Sequence, residues 1–549
     1  MRLIVAFISI FLLTNIQAFA QRTADSTKNG TVINVGTAVR YNYQDKDTLG
    51  KFLSLVGQDK VQAYVWQEKT KFYADSIVIN QKENTLEAFG HVHINDADSV
   101  QTYSDYLKYL GKEKKAFLKN NVKLTDGKGV LTTNDLDYDT QFKIGIYHNG
   151  GKLVNKKTVL TSTEGYYYGG THDVYFKKNV FLNDPDTKVY TDTLLYNIDS
   201  NLATFVCPTK IVQGKRIINT KDGYYNLKSK NGVFGKRAFI DDSTYTFTSN
   251  QMAFDDSTGM GEFAGNAVYR SKDSLNGYDI IANNIKINNK IGSFIATEKP
   301  LLFIKQKNDT TFVSADTLYS AKISVTKKIR NIPDVRINEK TDSAGTDSTK
   351  KIITNKLDSS TDRFFEAYHH VKIYSDSLQA VCDSLFYSLA DSSIRLFTNP
   401  VVWSGKNQML GDTIYLFLEN QKPQEVKVID NALSISKEGT EYYNQVKGNY
   451  IYIFFKDGKV NSMRTKGSPA ENVYYAVDEN NKFIGVNHST CDVIEAYFED
   501  EELARVKFIN NLEGKMSPMN QVNHQELRVR KFVWLDDRRP KSKFDIFMN

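Results

Sequence analysis

The sequence predicts an all-β protein built from stacked antiparallel repeats of about 30 residues. One unit is written twice: Tyr73-Ala-Asp-Ser-Ile-Val-Ile79 leads into Leu86-Glu-Ala-Phe-Gly-His-Val-His-Ile94, and Tyr103-Ser-Asp-Tyr-Leu-Lys-Tyr109 leads into Ala116-Phe-Leu-Lys-Asn-Asn-Val-Lys-Leu124. Apolar residues recur at every second position in each copy, the period of a strand with one buried face. Composition agrees, since 32 Tyr, 32 Phe and only 9 Pro suit strands and turns. A repeat this short cannot bury its own apolar face, so it must stack on its neighbours in one long body.

In chain order, Arg2 and the apolar run Leu3 to Leu13, ending near Ala18-Phe-Ala20, predict a secretory signal peptide over residues 1–20. The run is about half the roughly 20 residues that span a bilayer. Residues 21–60 are polar and weakly patterned and read as a tether. Repeats follow over 61–326, each opening on Asp, Asn or Glu, and the openings fall 28 to 33 residues apart from Asp75 to Asp316. The next opening, Asp383, lies 67 residues on, because residues 327–362 form an insertion rich in Lys, Asp, Ser and Thr without alternation, expected as a solvated loop. The pattern resumes over 363–518: Glu366-Ala-Tyr-His-His-Val-Lys-Ile373 restates Glu87 to Ile94. Residues 519–549 leave it and form a basic tail bearing Arg528, Arg530, Lys531, Arg538, Arg539, Lys541 and Lys543.

The Tyr/Thr-x-Asp-x-Leu-x-Tyr opening, seen at Tyr103 to Tyr109 and in Thr191-Asp-Thr-Leu-Leu-Tyr196, is followed by a Gly/Asn-x-Val turn and strand. In this the chain resembles the organic solvent tolerance (OstA) family, whose relatives are the lipopolysaccharide-transport proteins LptA and LptC and the amino-terminal domain of LptD. The resemblance covers Val61 to Pro518 and rests on recurrence, since each motif is degenerate. It implies a β-jellyroll of two facing sheets, open along one side, that shelters the acyl chains of lipopolysaccharide or a related glycolipid in the periplasm, with association at the outer membrane. It implies as partners other jellyroll transport proteins, joined through edge strands, and the outer-membrane assembly machinery. Two departures stand out: no room for a large barrel follows Pro518, and there are more repeats than a short bridge would need.

The candidate groove lining is the inward stripe of Leu118, Val122, Val174, Phe176, Val180, Leu182, Leu194, Ile394, Leu396 and Val402. For any single one of these the plain reading is core filling; the whole stripe is needed for a groove, where each buried methylene contributes about 0.8 kcal/mol. The competing architecture is a structural or adhesive β-solenoid with a closed, dry core. Edge-strand contacts are expected at Val61 and Val65 in the first strand and at Val506 and Phe508 in the last, neither strand containing a Pro. The basic tail either steers that end toward phosphorylated glycolipid or an acidic partner, or stays solvated.

Enzymatic and metal chemistry are not expected. The openings supply one acid per repeat, replaced by Asn at 134, 250, 283 and 449, whereas a glycosidase needs two carboxyls within about 10 Å and calcium needs 6 to 8 oxygens. An Asp or Asn bonding the backbone two residues on explains the exchange. His91 and His93 share a strand face, but the repeat equivalent of His93 is Lys372, which does not ligate when charged. No cofactor motif is present, and a net charge of +7 spread over 549 residues leaves no nucleic-acid footprint. Three cysteines leave at least one unpaired, and Cys382 and Cys491 sit at equivalent places several strands apart, too far for a disulfide; Cys207, beside Pro208, is uncommitted.

Overall fold

A computed structural model describes residues 32–46, 50–57, 61–274, 277–305, 310–334, 362–419, 422–480, 482–499 and 502–547, so the expected signal peptide lies outside the described residues. The chain divides into two units, Met1–Lys177 and Lys178–Asn549. Both are built almost entirely of antiparallel strands.

In the first unit the long strands each belong to two sheets. The first half of Thr85–Asp96 pairs with Ser76–Asn80 and its second half with Thr70–Ala74. Between the halves Gly90 and His91 take positive φ angles of 72° and 42°, and the register to Val100–Leu110 shifts there. Asn120 and Asn121 do the same in Lys115–Thr125, at 63° and 51°. Gly and Asn tolerate this left-handed backbone, and two such residues in succession make a bulge that turns the strand from one sheet into the other. Farther on the division is complete: Ile144–Tyr147 and Glu164–Tyr168 pair in the first sheet, and Gly151–Asn155 and Thr158–Ser162 in the second. The sheets are therefore joined by backbone along a spine of bends, while the strand ends and their turns form the opposite side, here termed the mouth.

The region expected as a tether holds strands from Asn34 onward. Asn34–Thr37 pairs with Ala63–Gln67, Arg40–Lys46 with Gly50–Val56, and Gly50–Val56 with Ser76–Asn80. Arg40–Lys46 escaped the sequence because residues 40–45 are exposed on both faces, so no apolar alternation marks it. These strands also correct the first edge. Val65 is fully buried in a strand with neighbours on both sides, Asn34–Thr37 and Thr70–Ala74, and Val61 is exposed ahead of that strand. The outermost described strands are Asn34–Thr37 and Arg40–Lys46.

The second unit repeats the double sheet, with bends at Gly265–Asn266 in Met260–Ser271, at His369–His370 in Phe364–Tyr374 and at Asp430–Asn431 in Lys422–Glu438. Its last strands, Glu502–Ile509 in the first sheet and Glu513–Ser517 in the second, each pair only with Phe483–Glu499 among the described strands. Val506 and Phe508 lie on that edge, half-buried against Ala470, Cys491 and Ile494.

Two polar segments of the second unit pack on outer sheet faces. The start of the expected insertion follows the short helix Ile323–Thr326, and Ile332 covers Phe364 and Phe386 on the first sheet. Arg330 pairs there with Glu366, and Arg395 donates to the carbonyl of Asp334. The remainder, 335–361, lies outside the described residues. The basic tail is a strap along the outer face of the second sheet. Val529, Leu527, Phe532 and Trp534 cover Leu433, Ile435, Val473, Tyr475 and Val486, while Leu535 covers Val381, Val401 and Trp403. Gln445 and Gln408 accept from the N–H groups of Val529 and Leu535 at 3.0 and 2.8 Å, Arg539 donates to Gln379, and Phe547 reaches Phe303 and Phe312. Its apolar residues are too irregularly spaced to read as a strand, yet they match a stripe that would otherwise be bare. Cys207, Cys382 and Cys491 are all free thiols.

Candidate functional site

Inward parity holds through every bend, so the predicted stripe lines the space between the sheets. Leu118, Val122, Val174 and Phe176 in the first unit, and Val180, Leu182, Leu194, Leu396 and Val402 in the second, are between 0% and 4% exposed, and Ile394 is half-buried. Lys119 and His91, of opposite parity, are exposed.

A row of tyrosines stands at the mouth end of the first sheet. Cross-strand pairing runs Tyr109, Ala116, Tyr138, Gly145, Tyr167 in the first unit and Tyr196, Ala203, Tyr225, Gly232, Phe254, Gly261 in the second. Large and small residues alternate because adjacent strands are too close for two inward rings: a Cβ at Gly232 would lie 2.9 Å from Cδ2 of Tyr225. The rings reach across to the mouth end of the second sheet. Tyr109 donates to Gln67 Oε1 at 2.5 Å, and Tyr138 to Asp96 Oδ2 at 2.7 Å, whose other oxygen accepts from Thr70 at 2.9 Å. Tyr167 stands over the carboxyl of Asp126. Burial pushes the Tyr109 and Tyr225 hydroxyls up to about 12. Burial alone would raise Asp126 too, but the Tyr167 hydroxyl, the N–H groups of Gly129 and Lys128 and the neighbouring His172 outweigh it and hold the carboxyl below its ordinary value.

Outside this row, ion pairs cross the mouth: Lys114 to Glu68 at 2.9 Å in the first unit, and Lys230 to Asp186 at 2.7 Å and Arg216 to Asp256 at 2.6 Å in the second. The last two line a cavity of about 410 Å³ with Gln213 and Tyr225. Backbone joins the sheets at the spine, and among the described residues these side chains bridge them at the mouth.

The acidic openings lie along the spine, and they bond the bend residue of a neighbouring strand rather than their own backbone two residues on. Asp75 meets His91 at 2.7 Å, Asp105 accepts from Asn121 at 2.7 Å, and Asp412 accepts from Asn431 at 3.0 Å. A hydrogen bond and the charge of Asp75 raise the exposed His91. His369 and His370 face Asp383 and Asp316 in the same way, and His93 instead bonds Gln101 on the outer face. Among the described residues no group of three or more His, Cys, Asp or Glu could hold a metal ion. The residue before the opening supplies a second bond, Ser104 donating to the carbonyl of Tyr106 and Cys491 to that of Val493. Cysteine here stands in for the serine of other repeats.

The tyrosine row was not singled out from the sequence, although Tyr109, Tyr138, Tyr167, Tyr196 and Tyr225 recur every 29 residues. A family model described as OstA-like protein matches residues 57–192 and 177–250, the stretch that holds this row. No curated protein matches the chain.

Proposed function

Because the chain carries an OstA-like domain over residues 57–250, we propose that it is an exported, non-enzymatic component of Lpt-type lipopolysaccharide transport, working in the periplasm at the outer membrane. Its role in this reading is to shelter acyl chains between the sheets. What supports this reading is that in each unit a buried apolar stripe lies between the two sheets and that side-chain hydrogen bonds and ion pairs bridge them at the mouth, so that in this reading the mouth parts without breaking a strand ladder. Partners of the same architecture would add to the last edge at Val506 and Phe508, where backbone groups of Glu502–Ile509 lack a ladder on one side among the described strands. The tyrosine row favours a second reading, a structural solenoid whose core stays dry.

Photo-crosslinking residues placed at Leu118, Phe176 and Leu194 in the exporting cell decide between them. Capture of lipopolysaccharide there, with none from His91 and Lys119, is the expected result. Equal labelling at both sets, or none at either, would leave the dry solenoid.

A further inference from the structure

The large-small alternation at the mouth ends at Gly261, and the row farther on runs through Ile394, Leu416, Val426 and Ile453 without it. Beyond Gly261 the pairing row of the first sheet reads Ile287, Phe294, Ser320, Phe365, Tyr387. At Ile287 and Ser320 no phenol stands where repetition of the row would put one. Arg363 enters the room left at Ser320, its Nη1 donating to Oγ at 3.0 Å. The interior is lined instead by touching aromatics: Tyr269 and Tyr278 at 5.5 Å between ring centroids, Tyr278 and Phe365 at 5.2 Å, and Phe365 and Tyr387 at 6.1 Å. Tyr269, Tyr278 and Tyr387 are half-buried, whereas Tyr109, Tyr138 and Tyr167 in the intact row are buried.

Cations gather at the same place. A Cβ at Gly292, in the mouth turn between Tyr278–Asn288 and Ser293–Thr297, would lie 3.2 Å from Cε of Lys322 and 3.6 Å from Nη2 of Arg363. Lys290 belongs to the same turn. No carboxylate among the described residues forms an ion pair with Lys290, Lys322 or Arg363, although mouth cations elsewhere, Lys114, Arg216 and Lys230, are paired. Lys322 and Arg363, close together and without a carboxylate partner among the described residues, raise the potential for an anion, and a guanidinium beside an ammonium suits phosphate oxygens. The half-buried Tyr278 and Tyr387, with the buried Phe365 between them, offer an apolar surface that suits methylenes.

We infer that this break in the mouth is a binding site for a phosphate-bearing acylated lipid, with Lys322 and Arg363 on the phosphate and Tyr278, Phe365 and Tyr387 under the first part of the acyl chain. It rests on the lipid-binding reading above and adds where the lipid is held by its headgroup.

The test uses the purified mature chain titrated with short-chain phosphatidic acid, short-chain phosphatidylcholine of equal chain length, and inorganic phosphate. Phosphatidic acid should bind at least ten-fold tighter than either control. Lys322→Gln with Arg363→Gln should remove that preference, and Ser320→Tyr, which fills the room that Arg363 enters, should weaken phosphatidic acid binding as well. Circular dichroism and melting verify that each variant folds, and Lys322→Gln alone, at an exposed side chain, keeps the test usable if the others do not. Equal affinity for inorganic phosphate and phosphatidic acid would overturn the lipid assignment. Unchanged phosphatidic acid binding in the charge variants, alongside interior crosslinks at Leu118 and Phe176, would overturn this site and leave the transport reading standing; absence of those crosslinks would count against the reading itself.

Discussion

The mouth of the first unit and the mouth of the second unit beyond Gly261 are built on one backbone plan and closed by different means. In the first, a ring on every second strand faces Ala or Gly on the next, and each phenol reaches a polar partner opposite. In the second the small residue is missing opposite Ile287, where Phe294 stands, and the row gives way to packed aromatics and to cations with no carboxylate partner among the described residues. Outer faces differ as well: the second sheet of the first unit shows water a stacked ladder of Tyr64, Tyr73, His93 and Tyr103, while in the second unit the strap covers the outer face beside Trp403 and Tyr475. Backbone geometry repeats; what fills and covers it is set locally by side-chain size.

Removing residues 519–547 should produce the largest difference between the units. Uncovering Leu433, Ile435, Val473 and Val486 forfeits about 1.5–3 kcal/mol for each side chain returned to water. Hydrogen exchange over Lys422–Val477 should rise steeply while Thr85–Asp96 stays protected; equal protection in both would show that the strap contributes nothing. Smaller is Tyr138→Phe, which leaves Asp96 Oδ2 without its donor and should destabilise by about 1–3 kcal/mol in thermal melts. Opening the mouth by pH acts at both extremes. Tyr109 and Tyr225 have folded values of about 12, above the ordinary 10.0, so their contribution is complete below pH 10 and lost as pH rises toward 12. Asp126 is held below its ordinary 3.8, so its contribution is present above that value and lost as pH falls through the lower folded one. Melting temperature against pH should therefore show a plateau bounded on both sides, and a monotonic profile would contradict it. The smallest effect is expected from deleting residues 335–360, a shift within about 1 kcal/mol, because loop length changes closure entropy slowly.

Repeats, strand period and inward parity were legible because each follows from alternation with one buried face. The strand Arg40–Lys46 was not, since residues 40–45 are exposed on both faces and carry no alternation. The strap and the segment 327–334 were hidden for the opposite reason: Val529, Phe532, Trp534 and Ile332 are isolated apolar residues among charges, and only the surface they meet reveals what they do. The mouth was half legible. The 29-residue spacing of its tyrosines stands in the sequence, but the polar partners lie about 42 positions earlier on another sheet, and only the bends bring them opposite.

The strap also fixes an order of events. Arg539 meets Gln379 across 160 residues of chain, and Leu535 meets Gln408 across 127. A chain delivered with its amino end first completes its early rungs from neighbours a few dozen residues apart, and those can form as they emerge. The stretch from Gln379 to Ser517 must wait with an apolar face bare until the final residues arrive, because contacts so distant in sequence form late. The interval between those moments is when the chain exposes the most apolar surface and is most prone to aggregate.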